Sequence, residues 1–203
     1  MKKTTRPIIP VPASPMTTSR LLLRPLQQSD LAEYHILRTQ IEVMKWTTTG
    51  KVDADLEATQ VWLNRFLAPN DATTFNFAVE ELGAPGKAVG VVGCHILEPP
   101  ECGYMLKKEV WGKGYATEAL KRFLQAWWEL PRNEVELDEK EPKVEDKNAV
   151  KVVPEVLNAD IVDTNYASAR ILEKCGFKRV SEELIEEKGE MITLVRLELE
   201  RPQ

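Results

Sequence analysis

Histidine and cysteine are scarce in this chain, with two His and three Cys among 203 residues. Cys94, Cys102 and Cys175 are odd in number and lack C-x-x-C spacing, which argues against a disulfide framework or a zinc site. His35 and His95 stand alone in the sequence, match no triad, and read as structural. No apolar run approaches the ~18–20 residues that a membrane span needs. The basic N-terminus is not followed by the apolar core of a secretory signal. The string G-x-x-x-x-G-K-[ST] is absent, so a P-loop is excluded. The net charge of −5 disfavours a generic nucleic-acid surface. From these absences we expect a cytoplasmic protein in a reducing setting, with no metal, no nucleic-acid partner and no membrane attachment.

What is present suits a folded domain. Hydrophobic residues make up 43% and charged residues 29% of the chain, and the length fits one well-buried core. Pro7, Pro10, Pro12 and Pro15 punctuate residues 1–18, which read as a mobile tail ahead of a single domain over 19–203. Residues 132–151 are dense in Glu, Asp and Lys and read as a solvated insertion. Between these, the pattern predicts a strand from Leu21, a helix from Ser29 or Asp30 to Gln40, and a helix over 53–67. The first helix would start with a capping box if Asp30 is the cap and Glu33 its partner. Phe75, Phe77 and Val79 alternate with polar residues as in a half-buried strand, and a hairpin returns over 88–97. Strands are predicted at 101–107, 154–162 and 191–199. The clearest helix carries Ala116, Ala119, Leu120, Phe123, Leu124, Trp127 and Leu130 on one face before Pro131 stops it. A shorter helix over 166–175 ends at Gly176. The fold class is a mixed α/β sheet with no internal repeat.

The most informative stretch joins the 101–107 strand to the long helix: Val110, Trp111, Gly112, Lys113, Gly114, Tyr115, Ala116 and Thr117. Glycine reaches positive φ at no steric cost, and a helix start presents unpaired N–H donors at the positive end of its dipole. A strand, a glycine loop and a helix N-terminus in that order make a pyrophosphate cradle. A dinucleotide fingerprint would need Gly or Ala where Thr117 stands.

Trp111-Gly112-Lys113-Gly114-Tyr115-Ala116 resembles the coenzyme A loop, Q/R-x-x-G-x-G/A, of the GNAT acetyltransferase superfamily. Trp111 replaces the usual Gln or Arg, as in the branch similar to ribosomal-protein N-terminal acetyltransferases. The segment from Asn165 through Ser168, Leu172, Glu173 and Lys174 to Gly176 and Phe177 resembles the superfamily's second signature, N-x-x-S-x-x-x-L-E-K-x-G-F. The resemblance implies a central, mostly antiparallel twisted sheet flanked by about four helices, with central strands splayed at the 101–107 and 154–162 pair. It implies acetyl-CoA as cosubstrate, held by Val110 to Thr117 with Asn165 and Ser168, and transfer of acetyl to an amine without metal. The acceptor is a protein N-terminus or a small amine, and the protein a monomer or homodimer.

Direct amine attack needs a base and a modest acid. Glu101 is the candidate base, with Asp160 and Glu155 as poorer alternatives. Many superfamily members place a tyrosine acid where this chain has Leu172, and Ser168 is the nearest replacement hydroxyl. The N–H near Val110 is the expected carbonyl-polarising donor. Lys113 would touch a phosphate or stay solvated, Asn165 is as well suited to capping the helix, and Tyr104 would line the cleft or pack. Two other classes stay open: a non-catalytic acyl-CoA-binding module, which would bind without turnover, and a Rossmann-type nucleotide enzyme.

Overall fold

The computed structural model describes residues 2–137, 151–187 and 189–202. Its main sheet is built from β2 (Met16–Thr17), β3 (Leu21–Arg24), β4 (Phe75–Glu81), β5 (Ala88–Leu97), β6 (Pro100–Leu106), β9 (Val156–Val162), β10 (Lys178–Glu187) and β11 (Glu190–Glu200), in the order β10-β11-β9-β6-β5-β4-β3-β2. Every neighbouring pair is antiparallel except β6 and β9, which run parallel. A doubly wound Rossmann sheet is therefore ruled out.

Side-chain alternation along the strands divides the core in two. Phe75, Phe77, Val79, Val92, Cys94, Cys102 and Leu106 pack under α4 (Tyr115–Glu129) and α5 (Tyr166–Lys174), against Leu120, Phe123, Trp127 and Leu172. Ala78, Ala88 and Val91 face the other way, toward α1 (Leu31–Arg38), α2 (Ile41–Met44) and α3 (Leu56–Leu63), with Tyr34, Leu37 and Leu63. The α4 seam is aromatic, with Phe75, Phe123 and Trp127 ring centroids 5.9–6.0 Å apart.

Several expectations change. The 1–18 segment, read as a mobile tail, contributes β1 (Lys2–Pro7), paired antiparallel with β7 (Arg132–Leu137) and parallel with β8 (Lys151–Val152). The ends of the expected 132–151 insertion are thus strands, and its centre, 138–150, lies outside the described residues. This small sheet has no apolar alternation to announce it. Polar anchors tie it down instead: Thr5 donates to Glu155 at 2.7 Å, and Arg132 Nε donates to the same carboxylate at 2.9 Å. The helix over 53–67 shortens to α3, capped by Asp55, which accepts from the Ala58 N–H at 2.8 Å. The Asp30–Glu33 capping box is not formed. Asp30 accepts two bonds from Arg24, at 2.8 and 2.6 Å, and Glu33 pairs with Lys107. Strand β10 was not foreseen, because an edge strand as charged as Lys178–Glu187 lacks a hydrophobic period.

Candidate active site

Beyond β6 a short 3-10 turn, Lys108–Val110, leads into the glycine loop. Gly112 and Gly114 have φ of +76° and +81°, and Gly114 caps α4. A Cβ on Gly112 would meet no atom within 4 Å, so its conformation, not local crowding, calls for glycine. Among the described residues, the N–H groups of Gly112, Lys113 and Gly114 donate to no protein acceptor. The first-turn N–H groups of Tyr115, Ala116 and Thr117 follow at the positive end of α4, the first turn closing where Glu118 N–H meets Gly114 O at 3.1 Å. A run of unsatisfied donors around open space fits an anionic ligand, so these residues fit the pyrophosphate of acetyl-CoA.

Arg20, whose role the sequence does not announce, holds the loop. Its Nη1 donates to Lys113 O at 3.0 Å, its Nε donates to Glu118 at 2.8 Å, and its guanidinium lies 4.7 Å from the Tyr115 ring centroid. Burial pushes the Glu118 carboxyl up, but hydrogen bonds from Thr18 and Arg20 outweigh it and hold the group below its usual range. Lys113 turns toward Glu81, 3.4 Å away, which also accepts from the Tyr115 hydroxyl at 2.7 Å. Trp111 donates its indole N–H to Leu106 O at 2.8 Å and leaves its ring half exposed. The expected donor at Val110 is a correction: its N–H is spent on Lys107 O at 3.2 Å, inside the 3-10 turn.

Strands β6 and β9 meet at one register pair, Glu101 opposite Asn158, and then part. Asn158 pins that point by donating to Pro100 O at 3.0 Å. Pairing between the two strands is confined to that point, in keeping with the splay that the resemblance implies. On the α4–α5 side, Tyr104 donates its hydroxyl to Ser168 O at 3.4 Å. Asn165 accepts from Ser168 N–H at 3.2 Å and is the cap of α5, as its sequence context allows. Ser168 is half-buried, and its hydroxyl has no partner among the described residues. Leu172 is a fully buried core residue. The sequence does mark Tyr104 as a cleft candidate, but not as a brace for the Ser168 turn.

Alternation on β6 sends Cys102, Tyr104 and Leu106 toward α4 and α5, and Glu101, Gly103 and Met105 to the opposite face. Burial raises the Glu101 carboxyl above its usual range, Asp160 adds to the rise, and Arg196 opposes it. Asp160 is itself bound by Arg196 through two bonds, at 2.9 and 2.7 Å. It is thus committed to an ion pair rather than free to act as a base. Glu155 is also removed as an alternative: it is 3% exposed and serves Arg132 and Thr5. His35 is structural, its Nδ1 2.8 Å from Thr59 Oγ1. Burial pushes the Cys94 thiol up to about 12 and raises the Cys102 and Cys175 thiols as well, away from the thiolate form that a nucleophile needs. Among the described residues no group of three His, Cys, Asp or Glu is arranged to hold a metal ion, and no helix is long and apolar enough to cross a membrane.

The fold recurs in solved structures. A GNAT-family acetyltransferase from Bacillus anthracis superposes with a TM-score of 0.70 at 21% identity, over 93% of this chain and 99% of that one. The spermidine N-acetyltransferase from Vibrio cholerae, in complex with CoA and spermine, gives 0.68 at 18% identity, over 91% and 97%. RimL, a ribosomal alpha-N-protein acetyltransferase in complex with coenzyme A, gives 0.68 at 12% identity, over 92% and 98%. No curated protein matches the chain by sequence. Residues 20–178 match the acetyltransferase (GNAT) domain profile, a span that holds the glycine loop, the splayed strands and both signatures, and the chain belongs to the GNAT acetyltransferase family.

Proposed function

We propose that the protein transfers acetyl from acetyl-CoA to a primary amine by direct attack in a ternary complex, with Glu101 as base and Ser168 as acid. The observation that carries this is the single Glu101–Asn158 register pair between β6 and β9, with unsatisfied loop donors beyond the far end of β6 and a raised carboxyl at the pair itself. Bound acetyl-CoA supplies the thioester carbonyl that the amine attacks. The backbone N–H groups from Gly112 to Thr117 hold its pyrophosphate, and Asn165 and Ser168 border the pantetheine slot. Glu101, on the face away from α4 and α5, accepts the amine proton, directly or through one water. Its raised pKa brings it closer to neutrality, where a base works best. Ser168 gives a proton to the departing sulfur, and Tyr104 positions it by holding the Ser168 carbonyl. The net charge of −5 suits a cationic acceptor, and the Trp111-Gly112-Lys113-Gly114 wording favours a protein N-terminus over other amines.

Thermal unfolding with acetyl-CoA, and NADH as control, tests the cosubstrate. A native-state ligand at 100 times its Kd adds ~2.7 kcal/mol, a rise of roughly 5–10 °C for a domain of this size. No rise with acetyl-CoA would sink the reading. A rise without thiol release across a broad amine panel would favour the non-catalytic acyl-CoA-binding module, a reading that the core position of Leu172 keeps alive.

A further inference from the structure

A cavity of about 340 Å³ lies beside the proposed acceptor face, lined by Arg65, Asn70, Thr73, Thr74 and His95. Its position follows from an irregularity in the sheet. The β5–β6 register slips between Cys94 and Ile96, and His95 is the extra residue. A Cβ on Gly103 would sit 3.6 Å from His95 Cε1, so the imidazole lies over the glycine. Gly103 shares a face with Glu101, two residues and so roughly 7 Å away along the strand. The cavity and the proposed base therefore open on the same side of β6, away from the pyrophosphate loop.

The lining holds one cation, Arg65, and several polar groups without partners among the described residues. Arg65 makes no ion pair among the described residues, its recorded contact being the Phe66 ring at 5.8 Å. The His95 ring and the Thr74 hydroxyl also have no hydrogen-bond partner there. The walls beneath them are fixed: Asn70 donates to Asn64 O at 2.9 Å, and Thr73 donates to Asn70 O at 2.8 Å. Burial first, and Arg65 second, keep the His95 ring toward its neutral form, with an N–H still to offer. An arginine fork, an imidazole N–H and a hydroxyl that line one open pocket are complementary to a carboxylate.

We propose that this cavity binds a carboxylate carried by the acceptor, so that the protein selects amine substrates with an acidic group. The proposal rests on the reading that the Glu101 face receives the acceptor. The acceptor class is an amine that carries a carboxylate, such as a peptide N-terminus with Glu or Asp close behind it.

Histidine NMR at fixed pH tests this, because the chain has only two histidines and His35, bonded to Thr59, serves as internal reference. The probes are Ala-Ala-Glu-Ala amide, Ala-Ala-Gln-Ala amide and inorganic phosphate. The Glu peptide should move the His95 ring signal saturably, the Gln peptide should not, and Arg65→Ala should abolish the response. In acetyl transfer, Arg65→Ala should cut the Glu-over-Gln preference in kcat/KM by about tenfold or more, the value of one charge-assisted hydrogen bond. Equal responses to the Glu and Gln peptides, no response, a response that survives Arg65→Ala, or phosphate binding in place of the Glu peptide would overturn the proposal. Acetyl-CoA-induced stabilisation is read separately, so a failed cavity and a failed transferase reading give different results.

Discussion

At the scale of single residues, the proposed chemistry is a matter of which carboxylate is already committed. Asp160 and Glu155 are each bound to an arginine, and Glu101 is not. Burial and Asp160 raise the Glu101 carboxyl and Arg196 restrains it, so the sign of a pH effect follows. A base works only when deprotonated, so kcat/KM should fall as pH drops through a value above the ordinary carboxylate range. Arg196→Ala removes the restraint and should move that acid limb to higher pH. A pH–rate profile of the two proteins checks this, and an unmoved limb would remove Glu101 as the titrating base. A second residue-scale prediction concerns Gly112. Its positive φ makes Gly112→Ala cost about 1–2 kcal/mol in stability. Because an added Cβ meets no protein atom, acetyl-CoA affinity should fall beyond that only if a ligand occupies the space. Calorimetric titration, with Gly83→Ala as an open-space control at ordinary φ, separates the two effects. Ser168→Ala should lower kcat by ~100-fold with acetyl-CoA binding retained, the usual size of one general acid's contribution. Steady-state kinetics beside the calorimetric Kd decide it.

At the scale of elements, legibility tracked hydrophobic period. Helix α4 was readable almost to its ends, because Ala119, Leu120, Phe123, Leu124 and Trp127 are buried at helical spacing. Phe123→Ala should therefore cost about 3–5 kcal/mol in denaturant unfolding, the range for a fully buried aromatic. Strand β1 was not readable, since Lys2–Pro7 carries no apolar alternation and is held through Thr5, Arg132 and Glu155. That dependence is testable. Arg132→Leu strands Glu155, 3% exposed, without its countercharge, and should cost about 3–5 kcal/mol. Replacing Glu155 with Leu as well should restore most of it, and chemical denaturation of the single and double variants measures the difference. Strand β10 escaped for a different reason: it is the edge of the main sheet, and an edge strand that faces solvent needs no hydrophobic period.

At the scale of the whole molecule, the sequence by itself determined the α/β class, the buried helix and the glycine loop. Each is a local pattern: period 3.6, period 2, and residues able to hold positive φ. It also carried both GNAT signatures, because a backbone cradle needs particular residue types in a fixed order. What only the tertiary structure decided is what stands opposite what. Glu101 meets Asn158, 57 positions on, and the strands then part. Arg20 reaches Glu118, and a register slip sets His95 beside Gly103. Val110 could be named as a donor from its position, yet only the folded turn shows that its N–H is already taken. Such pairings depend on strand order and register, which arise from packing two apolar faces of one sheet against two helix layers. No local pattern encodes them, because the residues that meet in space are far apart along the chain.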